Sequence, residues 1–205
     1  MVISVKTRVL ETANRNEVCE YLLQGDVVAF PTNTVFGVGI LFDDGGAIAK
    51  MKQAKGRDER KPFPMMVSDL SQLKSVAYLD EKYERLCEAF MPGAFTVVLK
   101  KKDCVADEVT NGKDTIAIRI PDDDFVLSVI REVGKPLLVT SANRSGGANT
   151  TNETEVLAQL DGRIAAVVKG QTSTSTASTI VDLTGDSPVI LRQGMITKED
   201  IEQYL

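Results

Sequence analysis

Histidine is absent from all 205 residues. Without an imidazole there is no Ser-His-Asp or Cys-His nucleophile system and no zinc site that uses histidine. Cysteine is scarce: Cys19, Cys87 and Cys104 are odd in number, far apart and without a CxxC pair. That spacing predicts a reduced compartment, not a disulfide framework. Cys19 and Cys87 fall within helical apolar patterns and read as buried structural thiols. No apolar run approaches the length of a membrane span. The start, Met1-Val2-Ile3-Ser4-Val5-Lys6, lacks the pattern of a secretory leader. These absences predict a cytoplasmic chain with no membrane partner. Its chemistry must run on Lys, Arg, Asp, Glu, Ser, Thr, Asn, backbone groups or a bound metal.

What is present is ordinary in bulk. Hydrophobic residues make up 43% and charged residues 26%, which suits a globular chain able to bury a core without disulfides or metal. The length predicts a single domain over 1–205. The net charge of −5 argues against a general nucleic-acid coat protein but allows a local basic surface.

Periodicity and punctuation alternate along the chain. Helices are predicted over 16–24, 45–54, 80–90, 123–133, 152–160 and 197–204. Strands are predicted over 27–30, 63–67, 95–99, 115–120, 136–139, 164–168, 178–183 and 189–191. Gly25, Gly56 and Gly134 close helices, and Thr197 with Asp200 resembles a capping box. Strands interleaved with helices predict an α/β domain, a twisted mixed sheet with flanking helices and some antiparallel pairing toward the C-terminal half. The segments 107–114 and 170–177 read as loops, the second able to supply hydroxyls and amides to a ligand.

Five clusters could carry chemistry. Phe30-Pro31-Thr32-Asn33-Thr34-Val35-Phe36-Gly37-Val38-Gly39 follows a strand and by itself reads as a turn. The segment from Lys50 to Lys61 holds six basic residues in twelve positions, around Lys55-Gly56-Arg57. From charge alone this is a solvated helix end with favourable charge at its C-terminus; the sharper reading is a polyphosphate site. Arg119 interrupts the apolar strand Thr115-Ile116-Ala117-Ile118-Arg119-Ile120. It faces solvent or forms a buried fork for a carboxylate. Leu137 to Gly147 runs from an apolar strand into Ser141-Ala142-Asn143, where open α/β sheets receive ligands. Arg192 follows the strand Val189-Ile190-Leu191.

In this order and spacing, from about Val18 to Leu205, these segments resemble the YrdC/TsaC family of threonylcarbamoyl-AMP synthases. The resemblance rests on Pro31-Thr32-Asn33-Thr34-Val35-Phe36-Gly37, Lys55-Gly56-Arg57 with Lys61-Pro62-Phe63, and Met91-Pro92-Gly93-Ala94-Phe95-Thr96. It continues through Ile118-Arg119-Ile120-Pro121, Ser141-Ala142-Asn143-Arg144-Ser145-Gly146, Ser178-Thr179-Ile180-Val181-Asp182 and Leu191-Arg192-Gln193-Gly194. The resemblance implies a YrdC-like sheet with a concave, positively charged ligand surface. It also implies synthesis of threonylcarbamoyl-AMP and pyrophosphate from L-threonine, bicarbonate or CO2, and ATP. A downstream tRNA threonylcarbamoyl-transferase complex would then use the product to modify tRNA.

By the same resemblance, Lys55, Arg57, Ser141 and Asn143 form the catalytic and nucleotide-binding set, supported by Thr115, Asn149 and Arg192. Thr32, Arg119, Val139 and Ser178 contact threonine, with Arg119 on its carboxylate. Mg²⁺ rides on the ATP phosphates, held by substrate oxygens and water, with no protein metal site. Asn33, Phe36 and Asp58 depart from the family pattern, where an acid, Tyr and Pro are usual, and they flank the threonine pocket. A non-catalytic relative that binds double-stranded RNA or tRNA is the alternative. A carbamoyl-transfer domain of the hydrogenase-maturation type is the third reading.

Overall fold

A computed structural model describes residues 6–56, 62–172 and 176–205. Strand residues in it alternate between two cores, as a pleated sheet covered on both faces requires. In β2 (Val28–Phe30), Val28 and Phe30 enter one apolar cluster and Ala29 the other. In β8 (Leu137–Ser141), Leu137 and Val139 take the first side and Leu138 the second. Helices α1 (Arg15–Leu23) and α6 (Asp124–Val133) pack on the face of Val28 and Val139. The opposite face carries α2 (Gly45–Lys55), α3 (Leu70–Val76), α4 (Glu84–Phe90), α7 (Glu153–Leu160) and α8 (Lys198–Glu202).

The remaining strands are β1 (Arg8–Leu10), β3 (Gly37–Leu41), β4 (Met65–Met66), β5 (Ala77–Tyr78), β6 (Phe95–Lys101), β7 (Thr115–Arg119), β9 (Ala166–Val168), β10 (Thr179–Asp182) and β11 (Val189–Arg192). One mixed sheet runs β1-β9-β2-β3-β8-β4-β7-β6-β10-β11, with β5 pairing beside β6. Pairing is antiparallel at β2–β3, β3–β8, β4–β8, β6–β7 and β10–β11, and parallel at β4–β7 and β6–β10. The expected α/β fold with a mixed sheet and flanking helices is therefore the one observed. No helix among the described residues is long and apolar enough to cross a membrane.

Capping follows the sequence closely. Asp44, Asp69, Asp123, Asn152 and Thr197 each accept a backbone N–H from the first turn of their helix. Thr197 and Asp200 form the reciprocal box. Gly56 closes α2 at φ 57° in the left-handed region.

Four expectations change. The segment 107–114 is not a loop throughout: α5 (Asp107–Thr110) buries Val109 and Thr110, and Thr110 Oγ1 donates to the Lys113 carbonyl. The turn expected up to Gly39 ends earlier, because Gly37 and Gly39 belong to the wholly buried β3. Their missing side chains make room across the strand. A Cβ on Gly37 would lie 2.8 Å from Val139, and one on Gly39 would lie 2.8 Å from Phe30. The helix predicted over 80–90 is a 3-10 turn at Glu81–Tyr83 followed by α4. In the 170–177 loop, Thr172 is buried and its N–H donates to the Thr151 carbonyl; 173–175 lie outside the described residues.

Candidate functional site

Register builds the site. Directly paired residues share a sheet face, and the pairs Gly37↔Ser141, Gly39↔Val139, Met66↔Arg119 and Ile180↔Thr96 are followed by Ile180↔Arg192. Val97↔Ile118 puts Thr96 opposite Arg119, one step along. Ser178 precedes Ile180 by two and so shares its side. This is the face of α1 and α6, in the part those helices leave open. The result is a cleft of about 410 Å³, lined by Thr32, Arg119, Val139 and Ser178 together with Ser141, Asn149 and Arg192. The cleft thus gathers all four residues nominated for threonine and three of those nominated for the nucleotide.

Arg119 is the buried cation of the cleft, 5% exposed. Its Nε donates to the Gly93 carbonyl at 2.8 Å, Nη1 to Thr34 Oγ1 at 2.9 Å and Nη2 to Asn33 Oδ1 at 2.6 Å. A guanidinium has five N–H donors, so one on each terminal nitrogen remains. Burial pushes its pKa down to about 10, and the nearby charge of Arg192 pushes the same way. It therefore stays charged at neutral pH. Among the described residues neither Arg119 nor Arg192 forms an ion pair with an acid. Asp122 and Asp123 oppose the downward shift of Arg119 from a distance, and two guanidinium groups on one face with no directly paired carboxylate suit an anion.

Arg192 stands at the rim on β11. Its Nε and Nη2 donate to the Ser178 carbonyl at 3.0 and 2.8 Å, and Nη2 also reaches Ser178 Oγ at 3.2 Å. Ser178 Oγ in turn lies 2.7 Å from Thr96 Oγ1. Partial burial lowers the Arg192 pKa as well.

Lys55 does not line the cleft and is not the solvated helix end that charge alone suggests. It is 2% exposed. Its Nζ donates to the Asn143 carbonyl at 2.7 Å and to the Ser141 carbonyl, while its own carbonyl accepts the Ser145 N–H at 2.8 Å. The last turn of α2 and the turn after β8 are thus tied together. Asn143 Nδ2 donates to the Arg144 and Gly147 carbonyls at 2.9 and 2.8 Å, and its buried Oδ1 has no partner. As a ligand group, Asn143 offers an acceptor.

Of the nominated residues described, Lys55, Asn143 and Thr115 do not line the cleft. Thr115 occupies the first position of β7, opposite Lys100, and does not line the cleft. It lies four steps along the strand from Arg119, roughly 13 Å at about 3.3 Å per strand residue. Arg57 lies outside the described residues, as do Asp58 and Lys61. Thr34, Asn33 and Thr96 were not nominated, yet each hydrogen-bonds a nominated side chain. Their signal was position: all three lie inside the recognised segments.

Among the described residues no group of three or more acids or cysteines could hold a metal ion. A second hollow of about 480 Å³ lies near Asp26, Lys50, Asp161 and Arg163. There Lys50 and Asp26 already neutralise each other at 2.8 Å, and no recognised segment contributes a nominated residue.

Comparison with known proteins places the fold in a family. The Sua5/YciO/YrdC family profile, described as telomere recombination, matches residues 20–194. A threonylcarbamoyl-AMP synthase of Bacillus subtilis is 42% identical over 187 residues, 90% of this chain and 54% of that protein. One of Pyrococcus abyssi is 34% identical over 207 residues, 100% of this chain and 61% of that protein. The chain therefore spans little more than half the length of these two relatives. The crystal structure of P. abyssi Sua5 complexed with L-threonine superposes with a TM-score of 0.93 at 32% identity, covering 97% of this chain and 61% of that one. The family match covers most of the sequence, and the superposition covers nearly all of the fold: this chain belongs to the Sua5/YciO/YrdC family.

Proposed function

We propose that this chain is an L-threonylcarbamoyladenylate synthase, joining L-threonine, bicarbonate or CO2 and ATP into threonylcarbamoyl-AMP with release of pyrophosphate. The observation that carries this reading is Arg119: a buried, charged guanidinium without an acidic partner, holding two N–H groups in reserve for a carboxylate. Two relatives bear the name of this activity and one solved relative was crystallised with L-threonine.

The threonine carboxylate sits on Arg119, beside Thr32, Val139 and Ser178. The free amine of threonine adds to CO2 and loses a proton to give the carbamate. A carbamate oxygen then attacks the α-phosphorus of ATP and pyrophosphate leaves. No step needs a covalent enzyme intermediate, which suits a chain without histidine. The protein's work is to position the reactants and neutralise charge. Arg192, Ser141, Asn149 and the Lys55–Asn143 turn take the nucleotide side, with Arg57 as a further phosphate ligand. Thr115 would serve only a part of the nucleotide that extends beyond the cleft. Mg²⁺ enters with ATP as the substrate complex; the hydroxyls, amides and guanidinium groups of the cleft leave it to phosphate oxygens and water. The product would pass in the cytoplasm to a tRNA threonylcarbamoyl-transferase complex.

The test is pyrophosphate release with each substrate withheld in turn. Release is expected only when ATP, L-threonine and bicarbonate are all present. Turnover indifferent to threonine would overturn the assignment. So would salt-sensitive binding to double-stranded RNA or tRNA without turnover, which is the signature of the RNA-binding alternative.

A further inference from the structure

The hydroxyl groups between Pro31 and Val35 can be given a direction by counting protons. Thr32 Oγ1 donates to the Val35 carbonyl at 2.8 Å. A hydroxyl has one proton and two acceptor sites, so Thr32 has no further proton to give. It accepts the Thr34 backbone N–H at 3.1 Å. The contact of 3.1 Å between Thr32 Oγ1 and Thr34 Oγ1 therefore has Thr34 as donor. Thr32 is then saturated, with one bond given and two received, and toward the cleft it offers only its methyl group. The proton of Thr34 points to Thr32 and its lone pairs point away. One of them accepts Arg119 Nη1 at 2.9 Å. A directed chain results, from Arg119 to Thr34 to Thr32 to the Val35 carbonyl, and all four residues are buried.

We infer that Thr34 is a positioning residue for the carboxylate fork: its hydroxyl, oriented by Thr32, holds the Arg119 guanidinium so that one N–H on each terminal nitrogen is left for the substrate carboxylate. The inference deepens the proposed function and rests on its placing a carboxylate at Arg119. Thr34 acts through Arg119 and needs no contact with substrate. Valine at position 34 would keep the shape but offer Nη1 no acceptor, and the guanidinium would be held only through Nε by the Gly93 carbonyl and through Nη2 by Asn33. Serine would keep the acceptor and lose only a methyl group.

The experiment compares wild type, Thr34→Val and Thr34→Ser in the pyrophosphate assay, with the KM for L-threonine and for ATP measured separately and folding checked by thermal melting. Thr34→Val is expected to raise the threonine KM about tenfold, the effect of losing one charge-assisted hydrogen bond, while the ATP KM stays put. Thr34→Ser is expected to restore the wild-type threonine requirement. The inference falls if Thr34→Val leaves the threonine KM unchanged, if serine fails to rescue, or if both KM values rise together. Should Thr34→Val not fold, Thr34→Ala against Thr34→Ser gives the same comparison. A wild-type protein that releases pyrophosphate without threonine would instead bring down the proposed function, and this inference with it.

Discussion

At the scale of single residues, burial decides what each group can do. Cys87 and Cys19 are the plainest case: desolvation raises their thiols to about 12 and about 11, with nearby glutamates adding to the effect. Cys104 is exposed. A disulfide reagent at pH 8 should therefore label Cys104 alone in the native protein and all three thiols after unfolding. Labelling of Cys87 at a comparable rate would contradict its burial. The same shifts set a sign for stability. Below pH 9 the thiols are protonated in both states, so they confer no pH dependence. From pH 9 toward 12 the unfolded chain ionises first, and stability falls as pH rises. Both buried cysteines were legible from their helical spacing. The setting of Lys55 was not, because its partners Ser141 and Asn143 lie 86 and 88 residues away in sequence. Charge density around it suggested solvent, and only the tertiary fold shows an ammonium holding two carbonyls.

At the scale of elements, caps and periodicity were readable where local chemistry decides the conformation. Asp44, Asp123, Asn152 and Thr197 stand at the starts of helices, as short polar side chains at those positions should. Gly56 stands where α2 must turn left-handed. Gly56→Ala should cost about 1 kcal/mol, since a Cβ at φ 57° is strained even though nothing crowds it. Urea unfolding would measure this, and an unchanged midpoint would mean that α2 ends differently in solution. Strand β3 escaped the sequence reading because two of its five residues are glycines, which by composition signal a turn. Their reason lies across the sheet, in the bulk of Phe30 and Val139. Helix α3 escaped because it is short, seven residues, and its apolar positions barely complete one period.

At the scale of the whole molecule, the α/β class, the mixed sheet and the grouping of Thr32, Arg119, Val139 and Ser178 followed from ordered segments whose spacing constrains the fold. Strand order did not, because crossovers such as β8 between β3 and β4 depend on packing across the entire chain. Ligand binding should stabilise this molecule as a unit. At a hundred times its Kd, L-threonine should add about 2.7 kcal/mol, or about 5 to 10 °C in melting temperature for a chain of this size. Arg119→Ala should abolish the shift from threonine and retain the shift from ATP. Loss of both would mean that Arg119 serves the nucleotide instead. The two arginines of the cleft are mounted differently. Arg119 rides on β7, bonded to β4 on one side and β6 on the other, whereas Arg192 rides on the outermost strand, joined to β10 alone. Sheets loosen from their margins inward. The cleft is accordingly a vise with one fixed jaw and one sprung jaw: under the proposed function the carboxylate grip would persist through fluctuations that release the rim, and pyrophosphate would have a side by which to leave while the amino-acid pocket keeps its shape.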